Sequence, residues 1–197
     1  MPLDLPAGHY DLDPAHSRLG FAVRHAMVTT VRGAFSDVTG SADLDPAGTS
    51  SVYVEIAAAS VDTRQPDRDA HLRGADFLDA ERFPTLVFAA SEVEFTETAV
   101  RLAGELTIRD VTRPLEVVLE FVGRVRDPFG NDRVGLEGSV VVDRREWGLT
   151  WNAALEAGGV LVANRVTLEF EVAAVRRPDV AGLEADHTDA GGLADAA

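Results

Sequence analysis

The sequence predicts an all-β protein built on one antiparallel sheet, closed on itself or folded into a sandwich. Three observations predict it. Apolar and polar residues alternate in about eight separate runs, the signature of strands with one buried face. Turn residues separate these runs at fairly even spacing. One segment alone, between Val61 and Phe83, drops the alternation and carries helix signals.

The first runs lie in residues 8–35, GHYDLDPAHSRLGFAVRHAMVTTVRGAF. A short strand comes before Asp13-Pro14. That pair reads as a turn, because proline fixes φ and biases the residue before it away from helix. In the strand that follows, Leu19, Phe21 and Val23 fall on one side, and Arg18, Gly20, Ala22 and Arg24 on the other. His25-Ala26-Met27-Val28 then interrupts with apolar residues that a strand does not require. They are expected to cross an opening and close it off. Alternation resumes through Val38, Gly40, Ala42 and Leu44. Phe35 and Val38 are out of phase, which predicts a bulge near Ser36-Asp37. After the turn at Asp45-Pro46-Ala47-Gly48, Val52, Val54, Ile56 and Ala58 share one strand face, with Tyr53 and Glu55 opposite.

The helical segment starts at Pro66, which suits a first helical position, with Asp67 and Asp69 in the first turn favouring the helix dipole. Gly74 is expected at C′, ending the helix. Leu72, Phe77, Leu78 and Phe83 are its apolar contacts.

Five more strands follow. Pro84 opens a run with Leu86 and Phe88 set against Val87, Val93 and Phe95. Val100, Leu102, Gly104, Leu106 and Ile108 alternate in the next. After Pro114, Leu115, Val117, Leu119, Phe121 and Val125 face inward. A hairpin over residues 127–131 leads to Leu136, Val140 and Val142. The last run sets Val166, Leu168, Phe170 and Val172 against Arg165, Thr167, Glu169 and Glu171. Residues 1–177 are expected to form the barrel domain. Residues 178–197 carry five carboxylates and no arginine, and are expected to be a disordered acidic tail.

A net charge of −15 argues against nucleic acid and anionic membranes as partners. Every basic residue is arginine. With no cysteine, disulfides, thiol catalysis and cysteine-based zinc sites are excluded. The start, MPLDLPAGHYDLD, has no basic region followed by an apolar run, so it does not read as a signal peptide. No apolar run is long enough to span a membrane, and a cytoplasmic protein without membrane insertion is expected.

An eight-stranded barrel is just wide enough inside for side chains or one slender ligand. Small residues on the inward faces (Gly40, Ala42, Ala58, Gly104, Gly123 and Gly138) either fit the taper of the barrel or leave a lumen. No polar cluster shares those faces, so a ligand there is apolar. The five histidines have no metal-pair spacing, and there is neither a Gly-x-Ser-x-Gly nor a phosphate-binding glycine loop. His71, beside Arg68 and Asp69, belongs to a local hydrogen-bond network or covers a ligand head.

Four motifs in order give the chain its likeness. The first is Tyr10-x-Leu12-Asp13-x-x-His16-Ser17-x-Leu19-x-Phe21-x-Val23-x-His25, with Val31-x-Gly33-x-Phe35. The second is Ser60-Val61-Asp62-Thr63 with Arg68-Asp69-x-His71-Leu72, then Asp76-Phe77-Leu78-Asp79-Ala80 and Phe83-Pro84-x-x-x-Phe88. The third is Gly104-x-Leu106-Thr107-Ile108-Arg109 with Val111-Thr112-Arg113-Pro114. The fourth is Arg144 or Arg145 leading to Trp147-Gly148. From about residue 8 to residue 174 the sequence resembles the YceI-like family. It departs at Asp110, where glycine is usual, and at Leu78, where phenylalanine is common. The resemblance implies a lipocalin-like eight-stranded barrel, with the helical insertion closing one end, a long isoprenoid chain in the lumen, and a homodimer in some members.

Taken with the apolar inward faces, this implies non-catalytic binding, transport or storage of a long isoprenoid, of the polyprenyl or isoprenoid quinone type. No cofactor and no metal are expected. The side chains expected to line the lumen are Leu19, Phe21, Val23, Phe35, Val54, Ile56, Phe88, Leu106, Leu119, Phe121, Leu136, Val140, Leu168 and Phe170. Arg24, His25, Arg32 and His71 are the candidates for a polar head group, which needs donors near a mouth. Two other readings stand beside this one. One is an enzyme on a small apolar substrate with His25 or His71 as acid or base. The other is a filled barrel whose outer face or acidic tail binds a protein.

Overall fold

Alternating sequence becomes strand throughout the computed structural model, which describes residues 3, 5–45, 48–156 and 158–178. The strands are β1 (Gly8–Leu12), β2 (Arg18–His25), β3 (Thr29–Phe35), β4 (Val38–Leu44), β5 (Ser51–Ala57), β6 (Val61–Asp62), β7 (Thr85–Phe95), β8 (Ala99–Ile108), β9 (Val111–Arg126), β10 (Asp132–Asp143) and β11 (Val162–Arg176). Helix α1 (Pro66–Arg73) lies between β6 and β7. Of the expected acidic tail, residues 179–197 lie outside the described residues.

All the pairings are antiparallel, and β1 pairs with both β4 and β11, which closes the sheet. The eleven strands form eight staves, because the first three staves are each broken once. β1 and β2 share the same edge of β11, separated by a 3-10 turn over Pro14–His16. Asp13 caps that turn by accepting from the Ala15 N–H at 3.0 Å. β3 and β4 are separated at Ser36-Asp37, where the phase changes. β5 and β6 are separated by a turn over Ala58–Ser60. This corrects the expectation that Ala58 continues the strand face of Val52, Val54 and Ile56. It sits instead in the turn, fully buried against Val61 and Leu86. The stretch after His25 is also corrected. It is a three-residue hairpin turn with Ala26 at φ 48° and Met27 at φ 63°, and it covers no opening: Met27 and Val28 are exposed.

At eight residues, α1 is too short to persist by itself in water. Pro66 occupies its first turn, and the Gln65 side chain accepts from the Arg68 N–H. Gly74 ends it, but at φ −73°, so the left-handed conformation expected of a C′ glycine is absent. Side chains tie the helix down. The Asp69 carboxylate, buried, accepts from the Thr63 N–H at 2.8 Å and from the Thr63 hydroxyl at 2.5 Å. Arg68 donates to the same hydroxyl at 2.7 Å and to the Thr63 carbonyl at 2.9 Å. Arg73 donates to the carbonyls of Ala59 and Val61.

A second seal closes the same end of the barrel. Pairing of β9 with β10 stops at Leu119–Gly138, and beyond it the two strands part. Glycine is required at the parting, since a Cβ on Gly138 would lie 2.4 Å from the Val118 carbonyl oxygen. The following 3-10 turn, Arg144–Trp147, brings Trp147 into the core, where its indole N–H donates to the Leu106 carbonyl at 2.9 Å. The buried Arg144 guanidinium donates to three carbonyls, those of Ala163 (3.0 Å), Val162 (3.4 Å) and Leu149. Burial pushes its pKa down from the ordinary arginine value.

Candidate ligand-binding lumen

The inward faces of the staves meet in two apolar clusters, one at each end of the barrel. At the α1 end, Val61, Leu78, Ala80, Leu86, Trp147 and Leu149 pack together. At the other end, Leu5, Tyr10, Val100, Leu102, Val117 and Val134 do. Between them runs a cavity of about 190 Å3. Its wall takes residues from every stave, and only Tyr10 and Ser41 among them carry a polar side-chain group. The Tyr10 hydroxyl is already committed, donating to the Pro6 carbonyl at 2.8 Å. Burial raises the pKa of this phenol, and nearby Arg176 and Arg124 oppose the rise. The lumen thus offers almost nothing to a charged or strongly polar molecule, since burying such a group without partners is costly.

Of the side chains expected to line the lumen, Leu19, Phe35, Val54, Ile56, Phe88, Leu106, Leu119, Leu136, Leu168 and Phe170 lie on the cavity wall. Phe21, Val23, Phe121 and Val140 do not. Phe21 lies over Gly33, where a Cβ would come within 2.5 Å of its ring, and its ring centroid is 6.0 Å from that of Phe35. Val23 pairs with Val31 and Val166, nearer the β2–β3 hairpin than the cavity reaches. Phe121 and Val140 pack against the cluster at the far end. Sequence reading missed Leu5, Leu86, Val100, Leu102, Ile108, Val117 and Val134 as wall residues. For Val100, Leu102, Ile108 and Val117 the signal was available, since they share the alternation of Leu106 and Leu119. Leu5 precedes all alternation, and nothing in its neighbourhood marks it.

None of the four head-group candidates lies on the cavity wall. Arg24 is exposed and donates to the Thr30 hydroxyl at 3.2 Å. Arg32 is exposed, 3.9 Å from Glu169. His25 ends β2, paired with Thr29 and Val162. His71 meets Asp76 at 2.9 Å and stands edge-on to Trp151, with ring centroids 4.6 Å apart, and to Phe77 at 5.0 Å. It therefore joins α1 to the loop after Trp147. Among the described residues no group of three or more His, Asp or Glu side chains is placed to hold a metal ion.

The sequence profile of the YceI-like domain matches residues 10–174, which spans the barrel from β1 to β11. The chain belongs to the YceI-like family. A UPF0312 protein of Vibrio cholerae is 32% identical over 154 residues, covering 76% of this chain and 82% of the relative. The crystal structure of Burkholderia cenocepacia BcnA superposes with a TM-score of 0.71 at 20% identity, over 83% of this chain and 99% of that one. A polyisoprenoid binding domain from Saccharophagus degradans, implicated in plant cell wall breakdown, superposes with a TM-score of 0.63 at 11% identity, over 87% of this chain and all of that one. These likenesses agree with the closed eight-stave antiparallel barrel described above. Among the described residues no helix is long and apolar enough to cross a membrane.

Proposed function

We propose that this chain is a non-catalytic carrier or store for an isoprenoid lipid, of the polyprenyl or isoprenoid quinone type, held in the lumen. The observation that carries it is a cavity inside the barrel lined almost wholly by aliphatic and aromatic side chains. Such a wall rewards area removed from water, on the order of 2 kcal/mol for each isoprene unit at about 25 cal/mol per Å2. Support comes from the family and from the fold shared with the polyisoprenoid binding domain of S. degradans. His25 and His71, the acid–base candidates of the alternative enzyme reading, lie off the wall, so neither faces a guest in the lumen. A cytoplasmic location and a homodimer accompany the proposal as expectations from sequence.

Native mass spectrometry and solvent extraction of the purified protein test it. The expected result is an isoprenoid lipid released on denaturation, or taken up by delipidated protein from added prenyl alcohols or quinones. Protein that carries no lipid from any host and takes up none would refute it.

A further inference from the structure

The segment before β1 belongs to no strand, yet it forms an end wall of the lumen. Leu5 is 4% exposed, lines the cavity and packs with Tyr10, Val100 and Leu102. Backbone and side-chain bonds fix it across the strand ends. The Leu3 N–H donates to the Thr96 carbonyl in the β7–β8 turn at 2.8 Å, and the Leu5 N–H to the Leu3 carbonyl at 2.9 Å. The Pro6 carbonyl accepts from the Tyr10 hydroxyl, and the Ala7 carbonyl from Arg176 Nε at 2.9 Å. Leu5 precedes the residues matched to the family, 10–174, so the family match does not include this wall.

We infer that Leu5 is the stop that sets the length of the isoprenoid segment the lumen accepts. This rests on the proposed isoprenoid binding. At the opposite end Trp147 and Leu149 pack in the other apolar cluster, so Leu5 faces the lumen from the end away from α1. The volume agrees. At about 190 Å3 the cavity lies above the ~150 Å3 apolar cavity that accepts benzene and below the ~300 Å3 at which pockets for drug-sized ligands begin. Truncating Leu5 lengthens the lumen at the end where Leu5 packs with Tyr10, and enlarging it shortens the lumen.

The test is displacement of N-phenylnaphthylamine from the full chain by geraniol, farnesol and geranylgeraniol, each one isoprene unit longer than the last. Wild type is compared with Leu5→Ala and Leu5→Phe. In wild type, affinity is expected to stop rising, or to fall, as the chain lengthens. Leu5→Ala is expected to raise the affinity for geranylgeraniol relative to geraniol on the order of tenfold, the scale set by small changes in an apolar pocket. Leu5→Phe is expected to lower farnesol relative to geraniol. A length profile unchanged in both variants, or moved equally at all three lengths, overturns the stop while leaving isoprenoid binding in place. If wild type binds none of the three alcohols, the isoprenoid proposal itself falls. Should Leu5→Ala fail to melt cooperatively, Leu5→Phe decides alone.

Discussion

Arg144 and Arg145 are neighbours in sequence with opposite environments, and replacing each by methionine separates them. The Arg144 guanidinium is buried and donates to three carbonyls at the α1 end, on Leu149, Val162 and Ala163. Hydrogen bonds from a charged group contribute about 1.5–3 kcal/mol each, so the three together contribute roughly 5–9 kcal/mol. Against this stands the several kcal/mol it costs to bring a guanidinium out of water, a cost methionine avoids while keeping most of the stem packing. The expected net loss for Arg144→Met is about 2–4 kcal/mol. In urea denaturation followed by tryptophan fluorescence, with a slope near 2 kcal/mol per M, the midpoint should fall by about 1–2 M. Trp147, on the same turn, should report the change directly. Arg145 forms an exposed ion pair with Asp143 at 2.5 Å, holding that carboxyl down to about 2. Its replacement is expected to leave the midpoint nearly unmoved, since exposed ion pairs contribute little. Equal midpoints for wild type and Arg144→Met would refute the view that this arginine pins the end of the barrel.

Three further outcomes are expected. Asp69→Ala should cost about 2–4 kcal/mol, because the Thr63 N–H and hydroxyl lose their acceptor, and amide exchange should accelerate in α1 ahead of β8 and β9. Arg133 bonds Asp13 and Asp127, and its hydrogen bonds are the leading cause of both carboxyls titrating below the usual range. Folded pKa values below the unfolded ones stabilise the fold above the unfolded value, and that stability is lost as pH falls through the folded pKa. Arg133→Met should therefore melt below wild type at neutral pH, and the gap in Tm should close as pH drops below 3.8, the ordinary aspartate value. Met27→Gly should raise stability by about 1 kcal/mol in thermal melts, by relieving a left-handed conformation that L side chains resist.

Period-two reading reached the parts of the barrel that are strand in a simple sense. Leu106, Leu119 and Leu168 face the lumen because their neighbours on either side in sequence face out, and that is written locally. Strand phase, once the pairing is known, also turns two head-group candidates away from the apolar face. Arg24 is out of phase with Leu19, Phe21 and Val23, and Arg32 pairs directly across from Ala22, so neither was in phase with the apolar face. The rest depended on contacts that no window of sequence holds. Whether Arg144 or Arg145 turns inward depends on carbonyls 5 to 19 residues away. The place of His71 depends on Trp151, far along the chain. Leu5 is buried in a cluster with Val100, Leu102 and Val117, all far along the chain.

The broken staves give the barrel wall two mechanical characters. The breaks at 13–17, 36–37 and 58–60 fall on three consecutive staves, and two of them touch, through Ser36 N–H to the Ser60 carbonyl at 3.2 Å and Ala57 N–H to the Asp37 carbonyl at 3.0 Å. Beyond them stand five unbroken strands, 10 to 16 residues long. A sheet bends most easily where its ladder is already interrupted. One side is thus a jointed panel; the other is continuously paired from β7 through β9 and from β10 to β11, and parts only between β9 and β10 beyond Leu119–Gly138. Swelling around a guest should be taken up along the joints and this parting, with deuterium uptake in β1–β6 responding to an added isoprenoid while β8 stays protected.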